Sequence, residues 1–395
     1  MLALDIGALL TKAAAGRDVR EVRLTSRPTV QPSGGLVSEL LAGFRPVLGA
    51  GPPQICLAVS DAWLNGDIAA AREQERCRRL IEDELNLRPV IWVSQSQAVA
   101  ASLAVRQHGP GTMLLTCDAG GTGVRTGLCE ITGTGIRLVA SHAVPGGGWR
   151  EFAAGLQDIW PSAGHHRATW HDSVRKQAGR ATILLDQAVA DAGFRDAAAY
   201  TVDGPAGPQE LSAGQLIDQF GPTDRALRQA IEAVLASGQP SAAVLTGGLS
   251  WFPLAARVVT AATGLIPEIL PLTAAAQGAL LVGQGEAQLA PLDLPEVSLP
   301  MHQVSNGLLE EFRLPVPWSA SFGPVAAEPV PIDGPDLSVE VSGQLRTVSF
   351  ADLRPGRYRV GVRPASPGQA FVYLQPDRQE NSQEMPIGSV DLGHT

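Results

Sequence analysis

The sequence predicts an α/β protein built from two similar halves and followed by a small β-sandwich-like domain. Three observations predict it. A three-strand unit followed by helix, strand and helix occurs twice before residue 285. Glycine motifs follow the opening strand of each half at equivalent places. After Gly285 the composition shifts to prolines and short alternating strands.

Taken in order, residues 2–6 read as a short buried strand, with 9–15 and 19–25 as its antiparallel partners and glycine-containing turns between them. A short helix is expected over 36–44, a strand over 54–59, an amphipathic helix over 67–85 and a strand over 90–93. A small-residue helix over 98–105 closes this half. The pattern restarts with strands at 113–117, 127–131 and 136–142. Helices follow to about residue 193, then a strand near 199–202, a helix over 212–236, a strand at 243–245 and a helix over 251–263. The domain plan is therefore a first lobe over 1–112 and a second lobe over 113–272, with residues 273–289 as a further helix. Residues 290–335 read as a Pro-rich linker, 336–375 as a small β-rich domain (alternatively beginning near 297), and 376–395 as a disordered tail.

Composition narrows the function classes. The net charge is −9 and no lysine/arginine run is dense enough to follow a phosphate backbone, so nucleic-acid binding is not expected. Lys12 and Lys176 are the only lysines, and this arginine bias, with abundant alanine and glycine, points to a high-GC bacterial genome. Cys56, Cys77, Cys117 and Cys129 are far apart without metal-ligand spacing, which reads as reduced buried thiols in a cytoplasmic protein. No secretory signal and no membrane span are expected. His165, His166 and His171 lie near Asp158 and Asp172 but show no regular ligand spacing, so this region reads as a polar loop.

Four glycine motifs carry the chemical signal. Asp5-Ile6-Gly7 ends the first strand, where backbone N–H groups can wrap a phosphate and a carboxylate can hold a metal-bound water. Asp118-Ala119-Gly120-Gly121-Thr122-Gly123 stands at the equivalent place in the second half, its glycines permitting close backbone approach. Gly146-Gly147-Gly148 precedes a helix, a position suited to an anion. Gly247-Gly248, followed by Trp251 and Pro253, comes before the small-residue stretch Ala274–Ala279. Each motif alone also suits an ordinary turn. Their order and spacing form the signal.

That order resembles the nucleotide-binding domain of the DnaK-type, seventy-kilodalton heat-shock chaperones, within the actin-like ATPase superfamily, over residues 1–285. The resemblance implies a two-lobed fold of paired ribonuclease-H-like halves with ATP or ADP and magnesium between them. Asp5-Ile6-Gly7 and Asp118–Gly123 resemble the two phosphate motifs, with Asp5 and Asp118 as residual catalytic groups holding magnesium through water. Gly120, Gly121, Thr122, Gly146, Gly147 and Gly148 resemble phosphate contacts. Gly247 and Gly248 resemble the adenosine motif, with Trp251 beside the ring, Val93–Ala101 resembles the connecting helix start, and Ala274–Ala279 resembles the closing helix by which 273–289 completes the first lobe.

Several positions depart from the family pattern. Ala8 and Leu9 replace two hydroxyl residues, and Gln95 replaces a glutamate that orients the attacking water. Thr122 and Gly123 are swapped, and Leu249 and Trp251 replace a serine and an arginine. Gly179, Thr182 and Ile183 stand where glutamate, lysine and arginine would meet the adenosine. The interval 29–54 is too short for the subdomain that carries a catalytic lysine, and Lys12, too early to replace it, reads as an exposed strand lysine. Phosphoryl transfer rests on positioning and charge neutralisation, and one lost polar group costs roughly 10²–10³ in rate. The expected function is therefore a degenerate, weak or inactive ATPase that acts as a partner-binding or regulatory scaffold, with nucleotide and magnesium binding weakened or lost. The alternatives are an active ATP-dependent chaperone whose C-terminal β domain binds clients, and an actin-like filament former.

Overall fold

The computed structural model describes residues 1–6, 10–16, 23–28, 54–61, 90–104, 108–159, 167–204, 207–290, 295–316, 328–350, 353–364, 369–377 and 386–392. The expected helices over 36–44 and 67–85 lie outside these residues. The chain is a mixed α/β protein that divides into two compact units, residues 1–31 with 95–290, and residues 32–94 with 291–395. Among the described residues, no helix is long and apolar enough to cross a membrane.

The first unit opens with an antiparallel meander of β1 (Leu2–Ile6), β2 (Leu10–Ala15) and β3 (Arg23–Pro28). Leu2, Leu4, Ala13 and Ala15 are fully buried. In the second unit, β4 (Ile55–Val59) and β5 (Val90–Ser94) pair in parallel. The helix α1 (Gln95–Ala104) then begins back in the first unit.

A second meander follows in the first unit: β6 (Met113–Ala119), β7 (Gly123–Thr132) and β8 (Gly135–Pro145). Helices α2 (Trp149–Ile159) and α3 (Arg167–Ala190) come next. His171 and Asp172 therefore belong to a helix and not to the expected polar loop, while His165 and His166 lie outside the described residues. A hairpin of β9 (Ala198–Gly204) and β10 (Gly207–Ser212) leads into α4 (Ala213–Leu235), which starts with a capping box between Ser212 and Gln215. Sequence patterning registered only the first strand of that hairpin. Strand β11 (Ala242–Thr246) returns parallel to β6, α5 (Pro253–Thr263) starts with proline, and β12 (Glu268–Ile269) extends the sheet to the order β12-β11-β6-β7-β8. Twice along the chain, an antiparallel meander is followed later by a parallel strand pair.

Helix α6 (Ala274–Gly283) packs on β1, β2 and α1. It approaches α1 so closely that a Cβ on Gly278 would overlap the Ala98 carbonyl oxygen. Ala98 is fully buried at this crossing, and its small side chain with Gly278 permits the short distance.

The second unit contains a β-sandwich of two four-stranded sheets. One holds β13 (Val297–Ser305), β14 (Leu308–Pro315), β16 (Asp336–Val341) and β17 (Gln344–Ser349) in the order β14-β13-β16-β17. The other holds β15 (Val330–Ile332), β18 (Gly356–Pro364), β19 (Gln369–Pro376) and β20 (Ile387–Asp391) in the order β15-β18-β19-β20. Val339, Val348, Val360, Val372 and Leu374 are fully buried in one shared core. Two expectations are corrected here. The expected linker 290–335 carries β13, β14 and β15, so the β-rich domain takes the alternative start near 297; Pro300 and Pro315 sit where the β13–β14 ladder needs no N–H from them. The expected disordered tail contributes β20, since Ile387 and Val390 are buried and Gly388 has no side chain to collide with Val348.

Candidate functional site

Asp5, at the end of β1, is buried and faces Lys12 of β2 across the hairpin register. Lys12 Nζ donates to Asp5 Oδ2 at 2.9 Å, with the lysine side chain only 16% exposed. Lys12 is therefore not the exposed strand lysine the sequence suggested. The second meander repeats the arrangement: Asp118 of β6 faces Arg125 of β7 in register, and Arg125 Nη1 donates to Asp118 Oδ2 at 3.3 Å. In both hairpins the cation stands seven residues after the aspartate.

Gln95, the first residue of α1, joins the two pairs. Its Nε2 donates to Asp5 Oδ1 at 2.6 Å, and its Oε1 accepts from Arg125 Nη1 at 3.2 Å. The result is a continuous chain, Lys12–Asp5–Gln95–Arg125–Asp118, with two negative and two positive groups. An amide suits this place because it donates to one neighbour and accepts from the other. Burial would lower the Lys12 pKa, but the attraction of Asp5 and then Asp118 outweighs it, so the ammonium is held above its ordinary value. Beside Asp118, burial and then the aspartate charge push the Cys117 thiol up, keeping it protonated.

The glycine motifs assemble around Asp118. Gly120, Gly121 and Thr122 form the β6–β7 turn, with Gly120 N donating to Gly123 O at 3.0 Å. Gly146 N donates to Thr122 O at 3.0 Å, which brings the third motif against the second. Gly146 and Gly147 have φ of +85° and +68°, left-handed values that favour glycine. Gly247, with φ +98°, lies where a Cβ would overlap Asp118 Oδ1 and Ala119 O. Leu249 N donates to Ala119 O at 3.1 Å, fixing the fourth motif to the end of β6. Asp5 and Asp118 thus share one hydrogen-bonded network with Gln95, and the motifs at 120–123, 146–148 and 247–248 meet at the end of β6. Gly7, Ala8 and Leu9 lie outside the described residues.

These groups are already engaged within the chain. The start of α2 would offer N–H donors to an anion, yet Trp149 N donates to Gly120 O and Arg150 N to Gly121 O, both at 2.9 Å. Gly147 N donates at 2.6 Å to the carboxylate of Glu151, which reaches back from the first turn of α2. Thr223 Oγ1 donates to Gly147 O at 2.7 Å. Trp251 folds onto the fourth motif, its Nε1 donating to Gly248 O at 2.6 Å and its ring centroid 6.2 Å from that of Trp149. Phe252 is fully buried in the same aromatic cluster with Phe152 and Phe220.

These residues do not fit a magnesium-bound nucleotide as arranged. Both carboxylates suited to the metal have side-chain cations as partners, and a carboxylate lies on the glycine run suited to phosphate. Lys12, Arg125 and Glu151 were not recognised from sequence as members of this site. The repeated seven-residue offset from aspartate to cation was the available signal. Neither the family models nor the curated proteins compared with this chain gave a match.

Proposed function

We propose that this protein is a degenerate member of the DnaK/actin-like ATPase fold, a pseudo-ATPase that serves as a partner-binding or regulatory scaffold. The repeated unit of meander and later parallel pair supports the two-lobed reading with paired ribonuclease-H-like halves. The observation that carries the functional reading is the neutral chain Lys12–Asp5–Gln95–Arg125–Asp118. A magnesium ion would have to compete with two tethered cations, and a phosphate would meet Glu151. ATP or ADP binding through Gly120, Gly121, Thr122, Gly146, Gly147 and Gly148 is accordingly weak or lost. On this reading the partner is another protein, and a cytoplasmic location is proposed with it.

Calorimetric titration with Mg-ATP and Mg-ADP tests the proposal. The expected result is no saturable heat at micromolar ligand. Micromolar binding, or steady phosphate release from ATP that an Asp118→Asn variant abolishes, overturns it.

A further inference from the structure

The β13–β14 hairpin presents a strand edge that has no partner among the described residues and whose pattern of charges is self-complementary. We infer that the outer edge of β14 pairs, antiparallel, with β14 of a second copy of this chain, with Phe312 on the twofold axis.

The hairpin is tightly specified. Asn306 and Gly307 have φ of +52° and +79°, the left-handed pair of a two-residue turn, and the register runs from Ser305↔Leu308 to Ser298↔Pro315. Val316 N donates to Val297 O at 2.9 Å, which sets the alternation. Even-numbered residues of β14 bond to β13, so the backbone groups of Leu309, Glu311 and Arg313 point to the other edge. Among the described residues no strand pairs with that edge.

The ribbon also leaves its own sheet. Ser342 N donates to Glu296 O, and β13 pairs with β16 only through Val297↔Val341 and Ser298↔Glu340. The next bonded pair would need an N–H from residue 300, which is proline and has none. Beyond it the hairpin extends as a two-stranded arm carrying Val304, Leu308 and Leu309 at 74%, 68% and 70% exposure. An isolated two-stranded ribbon is marginal in water, so added pairing stabilises it.

Charge selects the partner and the register. Charged residues on an edge ordinarily discourage pairing, but Glu311 and Arg313 have opposite sign and the same orientation. In a twofold contact, outward residues face outward residues. An axis on Glu311 places two glutamates opposite each other, and an axis on Arg313 places two arginines so. An axis on Glu310 pairs Glu311 with Leu309 and leaves both charges unmatched. Only an axis on Phe312 sets Glu311 against Arg313 twice on one face, with the two phenyl rings adjacent on the other. Arg313 already meets Glu340 at 3.0 Å, yet its side chain is 64% exposed and retains free donors. A single strand pair buries little area, so the dimer is weak and depends on concentration.

Sedimentation velocity on the full chain over a hundredfold concentration range, with cysteine trapping, tests this. We expect a monomer–dimer equilibrium that Glu311→Pro abolishes. The 311 N–H faces outward, so the proline removes an intermolecular bond and leaves the hairpin ladder in place. Phe312→Cys should give a disulfide-linked dimer under mild oxidation, at least tenfold faster than Leu309→Cys or the parent chain. Glu311→Pro combined with Phe312→Cys should lose that crosslink. A chain that stays monomeric throughout, a dimer that survives Glu311→Pro, or equal crosslinking at positions 309 and 312 overturns the inference.

Discussion

The five side chains of the site differ in burial, and burial sets what each contributes. Asp5 is almost fully buried and Lys12 nearly so, whereas Arg125 and Asp118 have side chains 29% and 25% exposed. Removing one partner of a buried pair leaves an uncompensated charge, so Lys12→Met should cost about 3 kcal/mol in urea unfolding. Arg125→Ala should cost about 1 kcal/mol, because water reaches Asp118 in its place. The sign of the pH effect follows from the raised Lys12 pKa. Its stabilisation is complete below the ordinary lysine value of 10.5 and is lost as the pH rises through the higher folded value. Urea midpoints of the parent chain should therefore fall above about pH 10.5 more steeply than those of Lys12→Met. Gln95→Glu would set a third carboxylate against Asp5. It should lower the melting temperature in metal-free buffer and recover part of the loss when magnesium is added, a response the parent chain should lack.

At the scale of elements, helix contacts and turn geometry govern the site. Gln95 is held in place by α1, and α1 is held by its close crossing with α6 at Gly278. Gly278→Ala should force the helices apart and cost about 2 kcal/mol in chemical unfolding, whereas an alanine at Gly264, where nothing lies within 4 Å, meets only its backbone strain at φ +74°. Much of the element order was legible in the sequence, since Met113–Ala119 and Ala242–Thr246 are apolar runs bounded by glycine and polar residues. The residues of the aspartate and glycine motifs were legible for a different reason: positive φ and close backbone approach restrict Gly146, Gly147 and Gly247 to glycine. The partners of Asp5 and Asp118 were not legible, because a cross-strand contact depends on register, and one residue of slip would have turned Lys12 to the other face. Strands β13 and β14 fall within the alternative domain start near 297, but their prolines also suit an extended linker, so the pattern alone does not show them as strands. What decides the outcome is the direction in which each proline nitrogen points.

At the scale of the whole chain, the C-terminal sandwich carries its own core, drawn from residues between Val297 and Val390. Residues 295–392 expressed alone should unfold in one cooperative urea transition, and a gradual, probe-dependent loss of structure would show that the core needs the remainder of the chain. Charge at this scale agrees with the local picture. The chain Lys12–Asp5–Gln95–Arg125–Asp118 contributes nothing to the net charge of −9, since its two negative and two positive groups sum to zero.

That neutrality has a practical result. Counterions that are part of the polypeptide cannot be dialysed, exchanged or stripped by EDTA. Purified protein should consequently melt at the same temperature before and after exhaustive chelation, and a sample stored without nucleotide should not age into an empty form.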